Sequence, residues 1–89
     1  MASYKIEWKQ SAKKELRKLG KTVIPGIVNA VEGLASEARP TGSRKLQGSE
    51  HLYRVRVGDY RIVYSIENKV LLIEVIRVGH RKDIYKKLT

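Results

Sequence analysis

The sequence predicts an α+β domain in which a helical hairpin packs on one face of an antiparallel sheet, in the order β-α-α-β-β-β with a short C-terminal tail. Two changes of period predict it. Apolar residues alternate with polar ones from Met1 to Trp8, recur at helical spacing from Ala12 to Ala35, and alternate again from His51 to Val78. A chain of 89 residues, 42% of them apolar, is sized for one core, so residues 1–89 are expected to form a single domain.

In the first strand Tyr4, Ile6 and Trp8 alternate with Ser3, Lys5, Glu7 and Lys9. Ser11 then offers an N-cap for a helix whose apolar positions are Ala12, Leu16 and Leu19, with Lys13, Lys14, Arg17 and Lys18 between them and Gly20 at its end. Pro25 is tolerated only in a first turn, which starts the second helix near Thr22; Ile24, Ile27, Val28, Val31, Leu34 and Ala35 form its apolar stripe. Arg39 to Ser43 break the pattern and make a loop. Gly58 and Asp59 form a two-residue turn between His51–Val57 and Tyr60–Ile66, and Asn68 and Lys69 mark a second turn before Val70–Val78. Gly79 ends that strand, and Asp83 to Leu88 suit a terminal helical turn.

Charge narrows the function. Nineteen Lys and Arg against nine Asp and Glu give a formal charge of +10 and a pI near 10.1, so the expected partner is a polyanion. The absence of cysteine excludes disulfides, thiolate metal sites and a cysteine nucleophile, and fits a cytoplasmic location. The alternating N-terminus does not read as a signal peptide, and no apolar run approaches the roughly 20 residues of a membrane-spanning helix. The sequence contains no His, Asp or Glu cluster with metal-ligand spacing and no glycine-rich phosphate loop, so no cofactor is expected.

A turn at Gly58 and Asp59 sets a register in which Val57 faces Tyr60, Arg56 faces Arg61, Val55 faces Ile62 and Tyr53 faces Tyr64. Tyr53, Val55, Val57, Tyr60, Ile62 and Tyr64 then share the helix-facing side, while Arg54, Arg56 and Arg61 share the other. Two arginines placed directly opposite repel, which costs a few tenths of a kcal/mol or more. A phosphate between them offsets that cost, because guanidinium groups bind phosphate oxygens bidentately and stay charged at any accessible pH. Arginine scattered on an exposed face for solubility is the plainer alternative. The second turn, as read above, sets Arg61 opposite Ile76, so His80, Arg81 and Tyr85 are expected to leave the sheet beside the arginines. Histidine moves protons near neutral pH and arginine stabilises a phosphorane-like charge, which together suffice for RNA cleavage by the ribose 2′-hydroxyl. Glu74 would share a face with Arg61 and pair with it; His51 lies at the far end of the hairpin and reads as structural or exposed.

The segments KLQGSEHLYRVRVGDYRIVY (Lys45 to Tyr64) and IRVGHRKDIY (Ile76 to Tyr85) resemble the RelE/ParE superfamily of toxins from prokaryotic toxin–antitoxin modules. The order of elements agrees over essentially the whole chain. By position, the two basic residues of the family's Y-K-x-K strand match Arg54 and Arg56, the arginine of its G-Y-R-x-V-Y strand matches Arg61, the arginine after the final V-G matches Arg81, and the late tyrosine matches Tyr85. Arginines replace lysines at 54 and 56, which disfavours any role needing deprotonation, and Tyr85 follows Arg81 at a shorter spacing than usual. His80 stands where a lysine occurs in relatives, as an added acid/base group or a local substitution. In the RelE branch the resemblance implies a ribosome-dependent endoribonuclease cleaving messenger RNA in the A site, held inactive by an acidic antitoxin. The ParE branch implies inhibition of DNA gyrase instead, and a nucleic-acid-binding module without catalysis is the third reading.

Overall fold

The first period-two segment forms β1 (Lys5–Trp8), and the chain passes almost directly into α1 (Gln10–Arg17). Lys9 continues the ladder by donating its N–H to the Val75 carbonyl, and it is also the residue that precedes the helix, with extended backbone and no side-chain cap. Ser11 is therefore inside the first turn instead of capping it, because strand pairing through Lys9 fixes where the helix can start. The second helix, α2 (Ile24–Gly33), carries Pro25 in its first turn as expected, where its missing N–H has no intrahelical partner to lose. Four strands follow: β2 (Arg44–Lys45), β3 (Leu52–Val57), β4 (Tyr60–Glu67) and β5 (Leu72–His80). The computed structural model describes residues 3–80, so the expected terminal turn lies outside the described residues.

The strands form one five-stranded sheet in the order β1-β5-β4-β3-β2. Ala12, Ile27, Val31 and Leu34 of the helical segment pack with Val55, Ile62, Tyr64, Ile66, Ile73, Val75 and Val78 of the sheet to make the buried core. Both helices thus cover one face, and the α+β class holds. Two features differ from the expected antiparallel sheet of four strands. β1 runs parallel to β5, pairing Lys5 with Leu72 through Trp8 with Val75. No hairpin ties β1 to a neighbour; the helices form part of a long crossover, the connection that parallel pairing requires. β2 is the added strand, two residues long and antiparallel to β3.

Tyr64 anchors the centre of the core. It is fully buried, its hydroxyl donates to the Ala38 carbonyl at 2.8 Å, and its ring stacks on Tyr53 at 6.1 Å. Burial raises the Tyr64 hydroxyl's pKa, with Ser43 and the Arg39 charge opposing the shift. Arg39 in turn donates from Nε to the Tyr53 hydroxyl, which ties the segment after α2 to β3.

β1 covers β5 only as far as Val75, which leaves the edge of the later residues to be satisfied from elsewhere. Glu15 of α1 does this. Its carboxylate accepts the Val78 N–H at 3.0 Å and binds the Arg77 guanidinium at 3.0 Å and 2.9 Å. Both side chains are mostly sheltered from solvent. Glu15→Ala leaves a backbone donor and a cation without this acceptor, so it is expected to lower unfolding free energy by about 1.5–3 kcal/mol, and Arg77→Ala by less. Urea denaturation of the two variants checks this; equal losses would show that the Val78 contact contributes nothing.

Candidate functional site

The β3–β4 hairpin has the register that its turn dictates. Gly58 takes φ of +60°, the positive value that a tight hairpin turn requires at this position. Arg56 consequently pairs with Arg61, Val55 with Ile62 and Tyr53 with Tyr64, while Arg54 pairs with Val63. Tyr60, Ile62 and Tyr64 pack toward the helices. Arg54, Arg56 and Arg61 fall on the opposite face by strand alternation.

A fourth arginine joins them. The Ser43 N–H donates to the Pro40 carbonyl, closing a four-residue turn in which Gly42 has φ of +93°, the left-handed value that the third position of a type II turn needs. This turn delivers Arg44 into β2 directly opposite Arg54. Arg44, Arg54, Arg56 and Arg61, with Gly42, line an open concavity of about 250 Å³. Among the described residues its lining carries no carboxylate, so four guanidinium charges share one recess. Sequence reasoning missed Arg44 because β2 is too short for periodicity to show; the turn residues Pro40 and Gly42 were the available signal.

Arg61 is not on an open surface. It is 3% exposed, the one buried charged residue among those described, and Val63 beside it on the same face is 1% exposed. Both lie on β4, the central strand, flanked by two others on one side and two on the other. Burial opposite a second arginine works against stability, and Nη1 of Arg61 meets part of its need by donating to the Tyr60 carbonyl at 3.4 Å. Arg56 is exposed and Arg54 half-buried, which leaves the recess open to a ligand.

β5 enters differently from the expected register. Arg61 pairs with Gly79 and not with Ile76, and Tyr60 pairs with His80. The strand does not stop at Gly79, and His80 is its last described residue. His80 sits beside the arginine-bearing hairpin end, yet its partner Tyr60 belongs to the helix-facing side, and the two rings meet edge to face at 5.7 Å. Register therefore turns the imidazole away from the arginines. Glu74 pairs with Ser65, far along the strand from Arg61, and the expected ion pair is not formed. His51 is exposed at the other end of the hairpin. Arg81 and Tyr85 lie outside the described residues.

Comparison with known proteins fits this geometry. A family model described as the ParE toxin of type II toxin–antitoxin systems matches residues 6–85. The chain belongs to the RelE/ParE toxin superfamily. Relatives of this toxin carry RelE-type names: it is 30% identical to toxin RelG of Mycobacterium tuberculosis, over 94% of this chain and 98% of the relative. It is 29% identical to the mRNA interferase toxin RelE of Escherichia coli K12, over 96% and 93% of the two chains. The toxin's fold superposes on a chain of the RelBE2 toxin–antitoxin complex of Mycobacterium tuberculosis with a TM-score of 0.80 at 26% identity, covering 91% of this chain and 94% of that one. The matched region includes β3, β4 and β5, and thus the whole arginine recess.

Arg61 is desolvated and opposite Arg56, but its Nη1 also donates to the Tyr60 carbonyl at 3.4 Å, so an apolar residue of similar length removes repulsion and a part-buried hydrogen bond together. Arg61→Met is expected to melt close to the parent temperature, with a net change within about 1 kcal/mol because the two effects oppose each other. Thermal unfolding followed by circular dichroism measures it; a clear drop in melting temperature would mean that Arg61 holds the sheet together.

Proposed function

We propose that this toxin is a RelE-type endoribonuclease that cleaves messenger RNA on the ribosome, with its arginine recess as the reaction site. The observation that carries the proposal is the Arg56–Arg61 pair: two arginines opposite each other across the hairpin, one of them buried, both lining one recess whose positive charge a bound phosphate would offset. The relative named an mRNA interferase supports RNA as the substrate. A gyrase inhibitor needs a binding surface only and gives no reason to desolvate Arg61.

In the proposed reaction the ribose 2′-oxygen attacks the adjacent phosphorus and gives up its proton to water. The bond from phosphorus to the 5′-oxygen breaks and that oxygen takes a proton, leaving a 2′,3′-cyclic phosphate and a 5′-hydroxyl. Arg56 and Arg61 clasp the non-bridging oxygens as charge builds on them, with Arg81 assigned to the same phosphate by position in the sequence, and Arg54 adjoins them in the recess. Guanidinium groups remain protonated, so the arginines stabilise charge and do not accept the proton. His80, facing Tyr60, is given no proton-transfer role; Tyr85 is the remaining candidate acid. Ribosomal RNA and codon–anticodon pairing orient the substrate, so a small protein need supply only local positioning and charge.

Silencing follows from the same charge. An acidic antitoxin segment laid over the basic face is the proposed partner, in keeping with the toxin–antitoxin complex of the structural relative. Among the described residues no helix is long and apolar enough to cross a membrane.

Induced expression is expected to stop translation first, with messenger RNA cut inside codons and DNA supercoiling initially unchanged. Arg61→Ala should abolish growth arrest, and Arg61→Lys should stay impaired because an ammonium cannot bind bidentately. Primer extension and end-group analysis of the cut RNA read the outcome. Products ending in a 3′-hydroxyl and 5′-phosphate would point to an activated water, and early DNA breaks with intact messenger RNA would establish gyrase as the target.

A further inference from the structure

Four guanidinium groups are more than one phosphodiester uses. One phosphate carries a single negative charge, and the Arg56–Arg61 pair already supplies a bidentate donor on each side of it. Arg44 and Arg54 form a second opposed pair, on β2 and β3, in the same recess. Along β3, Arg54 and Arg56 are two residues apart on one face, a separation of about 6.7 Å. That is comparable to the distance between consecutive phosphates of an extended RNA strand. The two pairs are also staggered, since Arg54 lies opposite Val63 and not Arg61, so they mark a diagonal track across β4, β3 and β2. The concavity of about 250 Å³ exceeds what the four oxygens of one phosphate would fill at about 30 Å³ for each water-sized group.

Resting on the reading of this recess as an RNA site, we propose that Arg44 and Arg54 form a second phosphate clamp, which holds the phosphate one nucleotide away from the one that reacts. Arg44 is a positioning residue in this account. It touches a neighbouring linkage, fixes the strand's path through the recess and brings the reacting phosphate to Arg56 and Arg61. Its placement depends on the Pro40–Ser43 turn and on nothing in the core, and its exposed side chain makes it replaceable without disturbing the fold.

The test compares two short RNA ligands whose 2′-oxygens are methylated, so that no hydroxyl is available to attack: a dinucleoside with one phosphate and a trinucleoside with two. Binding is measured by isothermal titration at several salt concentrations. The parent protein should bind the two-phosphate ligand about tenfold more tightly, the equivalent of a charge-assisted hydrogen bond, and with a salt slope steeper by about 0.7. Arg44→Ala should lose that gain while its melting temperature is unchanged, and Arg44→Lys should recover the slope but only part of the affinity. Retention of the full gain by Arg44→Ala overturns the second clamp, even where the first stands. Arg61→Ala separates the two ideas, because it should weaken both ligands. If it binds both as the parent does, the recess is not an RNA site and the clamp falls with it.

Discussion

Across the β3–β4 hairpin Arg56 and Arg61 pair directly, and Arg61 is almost wholly out of water. The arrangement has two sources of strain, like-charge repulsion and desolvation, and a sheet chosen for stability would replace either residue. What holds the pair in place is the backbone. The Gly58 turn fixes the register, and the apolar side of the same two strands is locked into the core by Val55, Ile62 and Tyr64, so the arginines cannot slip apart without pulling the core with them. The stability of the helix-packed face thus sustains a charged recess on the other.

The rest of the fold serves that placement. β4 is central because β5 and β1 flank it on one side and β3 and β2 on the other, which places the buried Arg61 in mid-sheet. Glu15 closes the edge of β5 where β1 ends, keeping the outer strand paired against β4 at the level of Arg61 and Gly79. The Tyr64–Tyr53–Arg39 stack ties the chain leaving α2 to β3, a few residues before the turn that brings Arg44 to the recess. Strands β3 and β4 therefore carry three of the four arginines, and the two-residue β2 carries the fourth, an arrangement suited to a site that must hold charge in fixed positions.

Much of this was legible in the sequence where local chemistry decides structure. Gly58–Asp59 and the alternation around it specify the pairing of Arg56 with Arg61, residue by residue, and Pro25 locates the start of α2. Long-range geometry was less legible. The second turn spans four residues, Asn68 to Leu71, where two were expected, and a bulge between Val63 and Tyr64 adds one more, so Arg61 meets Gly79 and not Ile76. Those three residues of slip move Glu74 away from Arg61. The odd shift also puts His80 on the helix-facing side, a change of face that a one-residue bulge is enough to cause. The parallel seating of β1 has no local signature, because a strand joined to its neighbour only by a distant crossover carries no turn from which a register can be counted. Arg44 was hidden for a related reason: two residues are too few to show a period in a chain with 19 basic side chains.

The central claim is that a phosphate sits between Arg56 and Arg61. The most direct measurement is nuclear magnetic resonance of the arginine side-chain Nε–H groups during titration with a 2′-O-methylated RNA dinucleotide at constant ionic strength. The account predicts that the Arg56 and Arg61 signals move together, saturate with one dissociation constant and sharpen as the side chains are fixed, while α1 amides next to its surface lysines stay in place. Arg56 and Arg61 signals that do not respond, with saturable shifts on α1 instead, would contradict it.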